Sequence, residues 1–112
     1  MMTLRELCGH VNVSRRSIQC YEKAGLMQPT AKNKYGHLLY DESMLRRARW
    51  IRFLQQLGFK LKEIEGIIDA PETEIREALM VQIGHLKHEK ERLEEIIQEA
   101  NEYIEKGRSE YI

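Results

Sequence analysis

The chain has 112 residues, with 18 Lys/Arg against 18 Asp/Glu, so its formal charge at neutral pH is zero. That length suits one small domain at the usual ~100–200 residues, and 42% apolar content can furnish a core. No apolar run approaches the ~18 residues that span a bilayer and no signal sequence opens the chain; with Cys8 and Cys20 outside any CxxC spacing, a reducing cytoplasm is the expected location.

The neutral total hides a division. Residues 1–60 hold eleven Lys/Arg against Glu6, Glu22, Asp41 and Glu42, a balance of +7, while residues 61–112 hold seven against fourteen acids, a balance of −7. A cationic head suits a polyanion, and an acidic, leucine-patterned remainder suits another protein chain.

Thr3-Leu4-Arg5-Glu6 reads as a capping box at a helix start. Leu4, Leu7, Cys8 and Val11 follow at i, i+3, i+4 and i+7, one apolar face of a short helix. Asn12 tolerates the left-handed backbone of a tight turn, and Ser14 caps a second helix that runs to about Ala24 and stops at Gly25. Two short helices around such a turn form a helix-turn-helix. On the second helix Ile18 and Tyr21 can pack inward, whereas Arg15, Arg16, Ser17, Gln19 and Lys23 have no apolar role. Arg and Gln can read base edges, and Arg, Ser and Lys can grip phosphates. Arg15, Arg16, Ser17, Gln19, Tyr21 and Lys23 are therefore the expected groove and nearby phosphate contacts.

Pro29 excludes helix, and Lys32-Asn33-Lys34-Tyr35-Gly36-His37 is a polar turn between Leu26-Met27 and Leu38-Leu39-Tyr40. This predicts a β-hairpin wing with Lys32, Lys34, Tyr35 and His37 at its tip. Asp41 can cap a third helix carrying Leu45, Ala48, Ile51, Leu54 and Leu57 and closed by Gly58. A short fourth helix carries Leu61, Ile64, Ile67 and Ile68 until Pro71 breaks the chain. Lys60, between these helices, is the expected contact of a second wing.

A long helix is predicted from about Thr73 to Lys106, about 50 Å at 1.5 Å per residue. Leu79, Leu86, Leu93 and Ala100 recur every seven residues, with Ile75, Ile96 and Tyr103 at the second heptad position and Gln82 and Glu89 interrupting it. Ile83, Ile97 and Ile104 run alongside. The head is too small to cover such a stripe, so a second copy of the same helix is the expected partner. Strand orientation is not readable from the pattern. The expected architecture is all-α with a small β-hairpin wing: a winged helix-turn-helix over residues 1–70, a dimerisation coiled-coil helix over 71–107, and a short tail over 108–112 without an effector domain.

Val13-Ser14, the string Tyr21-Glu22-Lys23-Ala24-Gly25-Leu26, Pro29, Gly36, Tyr40 and Gly58-Phe59-Lys60-Leu61-Lys62-Glu63-Ile64 occur in an order that resembles the MerR family of bacterial transcription regulators. The resemblance implies a homodimer held by an antiparallel coiled coil, with each recognition helix in a major groove and the wings on the backbone. It further implies a pseudo-palindromic promoter operator, distorted so that RNA polymerase can engage. The chain departs from the family where Thr-Leu-Arg-Tyr-Tyr becomes Ser17-Ile18-Gln19-Cys20-Tyr21, and where the wing's Gly-Tyr-Arg becomes Gly36-His37-Leu38. Gln19 is expected to favour adenine where arginine favours guanine.

Other classes have less to stand on. No paired carboxylates, phosphate-cradling glycine loop or nucleophile with a base suggests an enzyme, and no cofactor is expected. Cys8, His10, Cys20 and His37 near the head, and His85 and His88 on the long helix, lack the convergence of a metal tetrahedron, so no metal is expected. Two alternatives remain beside the DNA-binding regulator. One is a thiol-responsive regulator using Cys20; the other is a coiled-coil adaptor that does not bind DNA.

Overall fold

The computed structural model describes residues 1–111. They form β1 (Met2–Thr3), α1 (Leu4–Val11), α2 (Arg15–Lys23), β2 (Ala31–Lys32), β3 (Leu38–Tyr40), α3 (Glu42–Gln56), α4 (Leu61–Ile67), α5 (Glu72–Lys106) and α6 (Arg108–Tyr111). The chain divides into two units, Met1–Ile75 and the segment from Arg76 onward.

In the first unit the helix starts follow local chemistry. Thr3 Oγ1 accepts from the Glu6 amide at 3.2 Å while Glu6 Oε1 accepts from the Thr3 amide at 3.0 Å, completing the capping box of α1. Ser14 Oγ accepts from the Ser17 amide and starts α2, and Asp41 Oδ1 accepts from the Met44 amide and starts α3. The ends are equally local. Asn12 adopts φ 60°, turning the chain between α1 and α2. Gly25, at φ 77°, lets the Leu26 amide reach back to the Tyr21 carbonyl and its own amide to that of Glu22, the paired bonds of a Schellman stop.

That stop corrects the predicted hairpin. Leu26 and Met27 are not a strand: the helix terminus holds Leu26, and both side chains enter the core at 4% and 5% exposure. The wing's first strand is Ala31–Lys32, and the sheet has a third strand, Met2–Thr3, that was not anticipated. Its order is β1-β3-β2, antiparallel throughout, with Met2 opposite Tyr40, Thr3 and Ala31 flanking Leu39, and Lys32 opposite Leu38. A wing anchored to the N-terminus of α1 is thereby fixed relative to the helix-turn-helix.

The core is drawn from four helices and the sheet: Leu7 and Val11, Ile18 and Tyr21, Tyr40, then Leu45, Ala48, Ile51 and Leu54, with Ile64 and Ile68 closing it. Truncating one of these to alanine typically costs about 2–5 kcal/mol, so the cationic surface rests on a rigid base. Arg47 is given over to structure. Its Nε donates to the Leu26 carbonyl at 2.6 Å, and its two terminal nitrogens meet Asp69 Oδ1 and Oδ2 at 2.6 and 2.8 Å. The guanidinium holds the Asp69 carboxyl below its ordinary range. Asp69 is 72% exposed, so the pair is solvent-screened and adds little by itself.

Helix α5 runs for 35 residues, Glu72–Lys106, about 50 Å, and none of its residues is buried. Leu86, Leu93, Ile96 and Tyr103 are 42%, 46%, 46% and 41% exposed, and Ile97 and Ile104 still more so. Gly107, at φ 79°, ends the helix, and the tail forms one helical turn, Arg108–Tyr111. No helix among the described residues is long and apolar enough to cross a membrane.

Candidate nucleic-acid interface

Helix α2 is strongly two-sided. Ile18 and Tyr21 are 0% and 1% exposed, and their burial turns Arg15, Arg16, Gln19, Cys20 and Lys23 outward. The outward set carries three of the head's cations and one amide within nine residues. Two expected contacts behave differently. Tyr21 belongs to the core: its hydroxyl donates to Gln55 Oε1 at 2.6 Å, and burial raises its phenol above the ordinary value. The i, i+3 spacing from Ile18 puts it on the inner face, where no phosphate can reach it. Ser17 is half-buried, its hydroxyl 3.1 Å from Ser14 Oγ, so it is engaged in the cap as well as facing the helix start.

The wing tip is built by Asn33. Its Oδ1 accepts from the amides of Tyr35 and His37 at 2.9 and 3.0 Å, an Asx turn that shapes the loop from one side chain. Gly36, at φ 80° with open space where a Cβ would be, completes the turn. Lys32, Lys34, Tyr35 and His37 are all exposed. Lys34 Nζ lies 5.1 Å from the Tyr35 ring centroid, and the Tyr35 and His37 rings are 6.3 Å apart. An exposed cation–π contact of this kind is worth about 0.5–1 kcal/mol, enough to bias Lys34 and Tyr35 into one cluster. Between α3 and α4, Lys60 is exposed while its amide donates to Glu63 Oε1 at 3.0 Å.

Of the expected contacts, the fold brings Arg15 and His37 to one groove. An open groove of about 340 Å³ is lined by Thr3, Arg5, Arg15, Gly36, His37 and Leu38. It brings the first turn of α1, the first residue of α2 and the wing tip together. Arg5 was not among the expected contacts, because nothing in its own neighbourhood distinguishes it from a solvated arginine. Only the pairing of β1 with β3 reveals that it faces the wing.

Tyr40 supports the same region from beneath. Its buried hydroxyl donates to Glu22 Oε1, and burial together with that carboxylate raises its phenol well above the ordinary value. Cys8 is half-buried, and burial raises its thiol, keeping it protonated. Cys20 is exposed. Among the described residues no group of three or more His, Cys, Asp or Glu is placed to hold a metal ion.

Comparison with known proteins places this geometry. Residues 2–71 match the family model described as MerR HTH family regulatory protein, and residues 45–106 match the one described as MerR, DNA binding. The chain belongs to the MerR family. It is 35% identical over 86 residues to the HTH-type transcriptional activator mta of Bacillus subtilis, an alignment covering 77% of this chain. The chain spans about a third of that curated relative's length, 34%. The crystal structure of MtaN, the N-terminus of that Bacillus subtilis multidrug transporter activator, superposes with a TM-score of 0.73 at 29% identity, covering 93% of this chain and 98% of that one. HiNmlR, a MerR family regulator lacking the sensor domain and crystallised on promoter DNA, shares the fold at a TM-score of 0.72 and 18% identity over 93% of this chain and 90% of that one.

As a MerR-family head, α1 and α2 are its helix-turn-helix and β2–β3 its wing. The departures noted in the sequence have locations here. Gln19 and Cys20 lie on the open face of α2, and Leu38 lines the same groove as Arg5. Family membership over the first 71 residues favours a DNA-binding regulator over an adaptor with an idle head, and the relatives named above are regulators rather than enzymes.

Proposed function

We propose that the chain acts as a homodimeric transcription regulator that binds a pseudo-palindromic operator in duplex DNA and distorts it so that RNA polymerase can engage. The supporting observation is the two-sidedness of α2: its apolar residues are buried, leaving Arg15, Arg16, Gln19 and Lys23 on one open face. That face enters the major groove, where Arg15, Arg16 and Gln19 reach base edges or nearby phosphates and Lys23 grips the backbone. Lys32, Lys34, Tyr35 and His37 follow the backbone from the wing, and Lys60 from the second wing. The division of labour is a DNA-binding part over residues 1–70 and a dimerisation helix over 71–107, working in the cytoplasm.

Dimerisation supplies the second head. Ile75, Leu79, Leu86, Leu93, Ile96, Ala100 and Tyr103 form the seam of an antiparallel coiled coil, a reading supported by the exposure of Leu86, Leu93 and Ile96. Bending and untwisting a site costs about 1–6 kcal/mol, more readily offset by two heads than by one. Sedimentation of the protein with duplexes selected from a random library tests this reading. Two chains per duplex are expected; one chain per duplex, or no selected sequence, contradicts it.

A further inference from the structure

We infer that Arg5 is a backbone-phosphate contact, supplying from α1 the cation that the wing lacks at Leu38. This rests on the proposed DNA-binding function and assigns a residue to it outside the recognition helix and the wing. Arg5 and Leu38 are 33 positions apart in sequence, yet antiparallel pairing of Thr3 with Leu39 brings both to the same groove. On the wing side this groove presents the aliphatic Leu38. Arg5 lines the same groove from α1.

The groove suits a phosphate. Arg5 and Arg15 stand on its two helical walls, His37 at its lip, and the rest of the lining is Thr3, Leu4, Gly36 and Leu38, so no carboxylate opposes an anion there. Glu6, the nearest acid in sequence, is not part of the lining, and its carboxylate accepts from the Thr3 amide in the capping box. Arg5 itself is exposed, and Gly36 has open space where a side chain would stand, so a sugar-phosphate chain can approach the floor. Arginine suits the role because its planar fork meets two phosphate oxygens at once. The aliphatic floor adds no competing hydration.

The test compares wild type, Arg5→Ala, Arg5→Lys and the double variant Arg5→Ala/Leu38→Arg on a duplex the wild type binds, by fluorescence anisotropy across salt concentration. Each dimer carries two Arg5 side chains. Removing two phosphate contacts is expected to flatten the log–log salt slope by about 1.8, so that between 50 and 200 mM salt Arg5→Ala loses about tenfold less affinity than wild type. Arg5→Lys keeps the wild-type slope because the charge remains, and Leu38→Arg restores the slope in the Arg5→Ala background. Thermal unfolding of each variant identifies any that fails to fold, leaving the Arg5→Ala and Arg5→Lys pair to decide.

An Arg5→Ala protein with unchanged affinity and slope overturns this inference alone, while a wild type that ignores every duplex overturns the DNA-binding reading beneath it. Inorganic phosphate that binds the protein–duplex complex without displacing duplex, and no longer does so in Arg5→Ala, would assign the groove to a free anion and overturn the inference as well.

Discussion

Leu86→Asp is expected to yield a monomer that has lost operator binding while its head remains folded. Leu86 sits mid-helix at 42% exposure, and α5 contributes no buried residue that could hold it in place within one chain. Covering a leucine is worth about 1.5–3 kcal/mol, and a two-fold dimer loses two such contacts. At about 1.4 kcal/mol per tenfold, dissociation strengthens by a factor of roughly 10² to 10⁴, before the cost of forcing two carboxylates into an apolar seam. DNA affinity follows, since linking two heads gains about 10²–10⁴ that a free head forfeits. Light scattering checks the dimer and anisotropy the operator. Gln98→Asp, on the helix face away from the seam, should leave both unchanged. A dimeric Leu86→Asp protein would show that the heptad stripe is not the interface.

Arg16→Glu is expected to weaken operator binding by about 10² or more without lowering thermal stability. The side chain is exposed on the open face of α2 and no hydrogen bond commits it to the fold. A well-placed arginine contact to a base is worth about 1–3 kcal/mol, it occurs twice per dimer, and reversal adds repulsion from phosphate. Surface substitutions of this kind usually shift stability by under about 0.5 kcal/mol. Arg47→Met should do the opposite. It removes the bonds to Leu26 and Asp69 and leaves a carbonyl under-satisfied, costing about 1–3 kcal/mol of stability with the contact face intact. If Arg16→Glu binds the operator as wild type does, α2 is not the reading helix.

The contrast between these two arginines shows where sequence reasoning stops. Thr3, Ser14, Asp41, Asn12, Gly25 and Gly58 marked helix ends correctly because each acts within about four residues of itself, and local rules suffice for local bonds. The long helix was legible for the same reason: its pattern repeats along one element. What escaped was non-local. β1 is two residues long and exists only because Met2 meets Tyr40 across 38 positions of sequence. Leu26 and Met27 read as a strand until the Schellman stop claimed Leu26 for the end of α2. Tyr21 is amphipathic, so its residue type suits a phosphate contact as well as a core position; burial against α3 decides for the core. Arg47 and Arg16 are indistinguishable in a charge count, and only Asp69 and the Leu26 carbonyl tell them apart. The exposed cationic surface was thus legible on α2 and the wing, and opaque at Arg5, whose neighbours are assembled by the sheet.

The salt dependence of wild-type binding to its selected duplex bears most directly on the pairing of two cationic heads with a polyanion. Six to ten phosphates gripped by one dimer give a plot of log affinity against log salt with a slope of roughly −5 to −9. A slope in that range is the expected result. A flat line, or no binding at about 50 mM salt where phosphate contacts are strongest, would contradict it.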